Sequence, residues 1–185
     1  MKKNILPILL TFNFFCAYAQ DIDTTLTLEE IQFRDSVVNI NSNNALIQEM
    51  QELYNLGIES FTSSKFNKAI TFFKSVISLD STNVDAYFNK GLSHMELKDY
   101  QLAISDFEST FGLDDSYFDA IFNIAKCYEL LNDNERAIKT YDSLLYLDPK
   151  HAEAAYNQGV LYYLQKDYVN AIKAYSKAIK IDSYY

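Results

Sequence analysis

The chain has 185 residues, 49% of them hydrophobic, with 16 Lys+Arg against 25 Asp+Glu and a formal net charge of −9. That apolar content is enough to bury a core, which excludes wholesale disorder, while the acidic excess repels phosphate backbones and anionic lipid and so excludes nucleic acid as a partner. Four glycines and two histidines leave too little material for a glycine-rich phosphate loop or a histidine metal cluster.

Residues 1–19 read as a secretory signal peptide. Lys2 and Lys3 precede an apolar run from Ile5 to Phe15 that is too short to span a bilayer, and Ala17 and Ala19 fit a signal-peptidase pocket. The mature chain is expected to begin at Gln20 and to be exported, either periplasmic or secreted. Cys16 follows Phe15 rather than the small residue an acylated export signal requires, so lipid anchoring there is not expected. Once Cys16 leaves with the signal, Cys127 stands alone and no intramolecular disulfide can form. Its apolar helical surroundings predict a small buried hydrophobe rather than a reactive thiol.

Residues 20–49 form a polar leader rich in Thr, Asn, Ser and Asp. Thr27 and Glu30 make a capping box ahead of Ile31, Val37 and Val38, which predicts a short helix over 28–38, with residues 39–44 as a loop. That helix would either cover the open edge of the first folded unit beyond it or serve as a tether.

From Met50 onward one interval governs the chain. Asn55, Asn89, Asn123 and Asn157 stand 34 residues apart, as do Ala69, Ala103, Ala137 and Ala171, each of the latter followed by isoleucine. A fixed interval of this length means stacked copies of one supersecondary unit. Four windows, 50–83, 84–117, 118–151 and 152–185, each hold two amphipathic helical stretches of about thirteen and fourteen residues, so the unit is a helical hairpin.

Turn chemistry follows the same register. Asp99, Asp133 and Asp167 sit where a carboxylate can cap the second helix, and Lys65 in the same place makes the first of these helix starts the weakest. Asp80, Asp114, Asp148 and Asp182 mark the exits. The alanines lie in the first turn of the second helix, where a methyl lets two helices approach closely. Phe73, Phe107, Tyr141 and Tyr175 follow four residues later, then Ile77, Phe111, Leu145 and Ile179, completing one apolar face.

These features are similar to the tetratricopeptide repeat, a 34-residue unit with a small residue in its first helix, an aromatic three later, and alanine and an aromatic in its second. Gly57, Gly91, Ala125 and Gly159 fill the first small position. The early aromatic is Tyr128 and Tyr162 in the last two windows but Ser60 and His94 in the first two, and the closing proline occurs only as Pro149. The resemblance covers residues 50–185. It implies an all-α fold, an α-solenoid winding as a right-handed superhelix of four stacked helix-turn-helix repeats, with the first helix of each hairpin lining a concave face.

By the same resemblance that face binds a peptide segment or partner protein, and the chain is an exported interaction module or scaffold rather than an enzyme. The alternative is the input domain, or a short relative, of a larger envelope sensory or secretion assembly. Candidate binding residues are the ladder Asn55, Asn89, Asn123 and Asn157, the preceding aromatics Tyr54, Phe88, Phe122 and Tyr156, and the acids Asp85, Asp119 and Glu153 one turn earlier. The amides would hydrogen-bond an extended backbone; equally, they would serve helix packing, with the aromatics as core. Family members that grip acidic tails of chaperones carry lysine or arginine near the positions of these acids, so that ligand is not carried over. An acidic rim suits a neutral or basic partner, although acids in a first turn also stabilise the helix dipole. No catalytic residue, metal, cofactor or small-molecule substrate is expected. Tyr175, Ala178, Ile179, Tyr184 and Tyr185 would leave apolar surface at the C-terminal hairpin for end-to-end self-association, unless Lys173, Lys177 and Lys180 keep it solvated.

Overall fold

A computed structural model describes residues 28–184, so the expected signal peptide, Cys16 and the start of the polar leader lie outside the described residues. Eight helices and no strand occur among the described residues: α1 Leu28–Thr62, α2 Phe66–Leu79, α3 Val84–Glu96, α4 Tyr100–Leu113, α5 Phe118–Leu130, α6 Asn134–Leu147, α7 Ala152–Leu164 and α8 Tyr168–Ile181. From α2 on, lengths alternate between 14 and 13 residues. None of the described helices is long and apolar enough to cross a membrane.

The chain divides after Ala45 into two compact units. In the first, residues 28–45 are helical with exposed side chains, among them Phe33 and Ile40. The expected loop over 39–44 is not there, because α1 runs through it without a break. Asn and Ser have low helix propensity, yet nothing between Leu28 and Thr62 stops a helix: no proline occurs and the only glycine is Gly57. Ser42 Oγ bonds the carbonyl of Val38 at 2.9 Å, so its side chain is satisfied within the helix.

The second unit, from Leu46, is a stack of helical hairpins, an α-solenoid. Ala69, Ala103, Ala137 and Ala171 are all buried, as are the rings of Phe73, Phe107 and Tyr141. The rings of Phe73, Phe107 and Tyr175 each lie on the backbone of the first helix of their own hairpin. A Cβ on Gly57 would come within 2.5 Å of Phe73, one on Gly91 within 2.7 Å of Phe107, and one on Gly159 within 2.7 Å of Tyr175. Glycine stands in these three helix interiors, despite its entropic disadvantage, because the ring occupies the space of a side chain.

The exits behave as the acids predict. Asp80, Asp114, Asp148 and Asp182 each accept a backbone N–H two residues on, at 2.9–3.0 Å, so all four close the hairpin with the same side-chain turn. The second-helix caps are less uniform. Asp133 and Asp167 accept from the amides of Arg136 and Asn170. Asp99 makes no such bond, and neither does Lys65, so the cap expected at Asp99 is corrected: two of the second helices start without side-chain support. Between the two helices of every hairpin the chain turns through a left-handed residue, Ser64, Lys98, Asn132 and Lys166, with φ of 56°, 65°, 58° and 64°.

Repeat 2 carries a polar centre of its own. Asp106 on α4 takes Lys90 Nζ on one carboxylate oxygen at 2.9 Å and His94 Nδ1 on the other at 2.6 Å, and all three side chains are largely buried. His94 thus occupies the family's aromatic position as a hydrogen-bonded core residue.

Candidate peptide-binding face

The first helices α1, α3, α5 and α7 carry every candidate binding residue. Their spacing along the chain places the four asparagines in one row, but the structure gives each a different job. Asn89 Nδ2 donates to the carbonyl of Asp85 at 2.8 Å and to Tyr54 Oη at 3.0 Å. An amide has two N–H donors, so Asn89 has committed both and offers a ligand only its carbonyl oxygen. Asn123 Nδ2 donates to the carbonyl of Asp119 at 2.8 Å. Asn157 Nδ2 lies 3.4 Å from Tyr141 Oη, which itself donates to Glu129. Asn55 is exposed and accepts from Gln51 Nε2 at 3.1 Å.

The preceding aromatics pack inward. Tyr54 meets Phe73, Phe88 meets Phe107, Phe122 meets Tyr141 and Tyr156 meets Tyr175, with centroids 5.5–5.9 Å apart and the rings inclined. One aromatic pair per hairpin therefore joins its two helices. Tyr156 is still 39% exposed, whereas Tyr54, Phe88 and Phe122 are half-buried. Asp85, Asp119 and Glu153 are exposed in the first turns of α3, α5 and α7, where they also favour the helix dipole.

One group of these residues comes together. Asn89 bonds Tyr54, and the Asp85 carboxylate acts on the hydroxyls of both Tyr54 and Tyr117. Burial raises the Tyr54 and Tyr117 hydroxyls above their ordinary range, and the Asp85 charge raises both further, so both remain neutral donors. Beside Tyr54 and Asp85 lies a small depression of about 110 Å³, also lined by Met50, Gln51 and Asn83. A larger one, about 350 Å³, has Tyr117, Phe118 and His151 as walls and the carboxylates of Asp114, Asp119 and Asp148 around it.

Tyr117, His151, Asp114 and Asp148 were not among the residues the sequence singles out for binding. The signal that could have found them is the register itself: Asn83, Tyr117 and His151 hold the same place, one residue before each first helix. Asn83 and His151 cap α3 and α7 through side-chain acceptors, and His151 also stacks on Phe122 with centroids 5.0 Å apart and planes 21° from parallel.

Residues 84–117 match one tetratricopeptide repeat profile and residues 119–185 another, which together cover more than half of the chain. The chain belongs to the tetratricopeptide repeat family. No curated protein matches it. Among solved structures the tetratricopeptide array is similar to a crystal structure of MamA, 21% identical with a TM-score of 0.68, covering 99% of this chain and 97% of that one. It is also similar to a tetratricopeptide repeat protein from Parabacteroides merdae, 22% identical with a TM-score of 0.68, covering 74% of this chain and 54% of that one. A third similarity is to the first repeat domain of Spaghetti (RPAP3) bound to the HSP90 peptide SRMEEVD, 24% identical with a TM-score of 0.59, covering 64% and 94%. At these identities the likeness concerns the fold alone. Among the described residues no group of three or more His, Cys, Asp or Glu could hold a metal ion.

Proposed function

We propose that this protein is an exported scaffold whose tetratricopeptide array holds a neutral or basic peptide segment of a partner protein on the face lined by α3, α5 and α7. The observation that carries the reading is the 350 Å³ depression at Tyr117 and Phe118, where Asp114, Asp119 and Asp148 converge. Aromatic walls accept the apolar stem of a lysine or arginine, and the carboxylates accept its charged head. Export rests on Lys2, Lys3, the run from Ile5 to Phe15 and the Ala17–Ala19 cleavage pattern.

The same charges argue against an acidic ligand. The peptide bound to the RPAP3 domain, SRMEEVD, ends in two glutamates and an aspartate around one valine. Here Asp85, Asp119 and Glu153 are exposed on the corresponding helices and would repel it. A backbone bound in extended form would donate to the free carbonyl oxygens of Asn89 and Asn123.

The test is fluorescence anisotropy with a panel of labelled peptides of differing charge, followed by Asn123→Ala and Asn89→Ala. Each hydrogen bond lost to the peptide contributes about 0.5–1.5 kcal/mol, so the double variant should bind about tenfold more weakly. Asn123→Ala should leave thermal stability almost unchanged, whereas Asn89→Ala also releases Tyr54. Unaltered affinity in the double variant would discard the groove, and a panel in which only acidic peptides bind would discard the charge argument.

A further inference from the structure

The 34-residue register allows each position to be followed through all four hairpins, and four positions, two on each side, change their surroundings at the outer faces. Ile70, Ile104 and Ile138 are buried beneath the next hairpin, but Ile172 at the same position on α8 is 65% exposed. Leu145 is buried and its counterpart Ile179 is 51% exposed. On the opposite outer face, Ala86, Ala120 and Ala154 are fully buried, while Glu52 in that place on α1 is exposed. Gln158 is buried against the preceding hairpin, bonded to Asp142 and to the carbonyl of Ile138; its counterpart Leu56 is 41% exposed. Each outer face therefore presents one half of an inner junction.

We propose that the two halves fit each other: copies of this chain stack end to end, with α8 of one copy against the α1 face around Leu56 of the next. A second copy is chosen over any other occupant by charge. Residues 46–62 of α1 contain Glu49, Glu52 and Glu59 and no basic residue, whereas α8 contains Lys173, Lys177 and Lys180 and no acid. A chain of net charge −9 has thus placed a wholly basic helix on one outer face and a wholly acidic stretch on the other. No salt bridge among the described residues uses any of the six.

The inner junction fixes the register of the contact. A short turn makes α7 run antiparallel to α6, and Gln158 meets Ile138 and Asp142. Moved to the outer faces, the same geometry puts Leu56 over Ile172 and Ser176. It then carries Glu52 towards Lys177 and Lys180, and Glu59 towards Lys173. Opposite charges fall together along the whole seam, around an apolar centre of Leu56, Ile172 and Ile179. The contact joins two different patches, so each pairing leaves one of each open and assemblies lengthen with concentration rather than closing as dimers.

Sedimentation velocity on the full chain, from about 10 to 500 μM, tests this. The weight-average mass should rise with concentration and fall as salt is raised. Reversing the basic set (Lys173→Glu, Lys177→Glu, Lys180→Glu) should weaken association by about tenfold or more, and reversing the acidic set (Glu49→Lys, Glu52→Lys, Glu59→Lys) should do the same. Five of the six side chains are exposed and Lys177 is half-buried, so both variants should keep the wild-type helical circular dichroism. Mixing the two variants should restore assembly, because each then meets the charge it lacks. A constant monomer mass for the wild type, as another segment covering α8 would produce, overturns the proposal. So does association that survives either reversal, or that mixing fails to recover.

Discussion

Substituting Gly91 by alanine sets two opposed effects against each other. In a helix interior the added methyl gains about 1 kcal/mol by removing glycine's backbone freedom. Here the new Cβ would lie 2.7 Å from Phe107 Cε1, 2.9 Å from Cδ1 and 3.1 Å from Cζ. Carbon atoms rest about 3.5–4.0 Å apart, so the ring must retreat by roughly 0.8 Å or more. Phe107 is fully buried, and its retreat would displace neighbours at a cost of about 1–3 kcal/mol. The net expectation is a loss of about 0–2 kcal/mol. Gly112, in the last turn of α4, has nothing within 4 Å of its added Cβ, so Gly112→Ala keeps only the gain, about 0.5–1 kcal/mol. The difference between the variants isolates the packing effect. Urea denaturation followed by far-ultraviolet circular dichroism measures both. Equal stabilisation by the two substitutions would refute the claim that the ring fills the space above Gly91.

Three other perturbations probe buried or paired groups. Asp106→Ala leaves Lys90 and His94 buried without their acceptor and should cost about 3–5 kcal/mol, whereas the combined Lys90→Met, His94→Phe and Asp106→Leu exchange should be close to neutral in the same denaturation assay. Cys127 is fully buried, which pushes its thiol up to about 12. Iodoacetamide at mildly alkaline pH should therefore leave the folded protein unmodified and alkylate it fully in urea, by mass spectrometry; rapid native labelling would contradict the burial. Hydrogen bonds from the backbone and side chain of Arg136 hold Asp133 below the usual carboxylate range. A group depressed on folding stabilises above its unfolded value and loses that contribution as pH falls through its folded value. Melting curves of wild type and Asp133→Asn should thus differ at neutral pH and converge once the solution is more acidic than the carboxylate range.

The solenoid was legible because one constraint repeats. An alanine in each second helix and a glycine or alanine in each first helix are demanded by close helix contact, and that demand leaves its mark every 34 residues. The continuity of α1 was not legible, since Asn41, Ser42, Asn43 and Asn44 look like a loop by propensity, and only the absence of a breaker lets the helix run on. Asp99 has the right residue type for a cap, but whether a side chain bends back to an amide is decided by local geometry. The ladder amides show the same limit. Asn89 and Asn123 turn to carbonyls one helical turn earlier, a choice that depends on rotamer rather than on spacing. The cluster of Lys90, His94 and Asp106 was invisible because the acid that joins it sits on α4, away from the two residues on α3, and the three follow no family pattern. The left-handed turns were hidden too, since Lys98 and Lys166 are not residues that advertise a positive φ.

Each hairpin holds its own ring pair, its own left-handed turn and its own exit aspartate, so a single 34-residue cassette is nearly self-sufficient. Excising 118–151 would join Tyr117 to Ala152 and bring α4 against α7, faces that already match at every inner seam. Gene-level gain or loss of such a cassette changes the length of this protein in whole steps: losing 118–151 would also take Phe118, Asp119, Asp148 and His151 out of the larger depression, whereas losing 84–117 would delete the cluster of Lys90, His94 and Asp106.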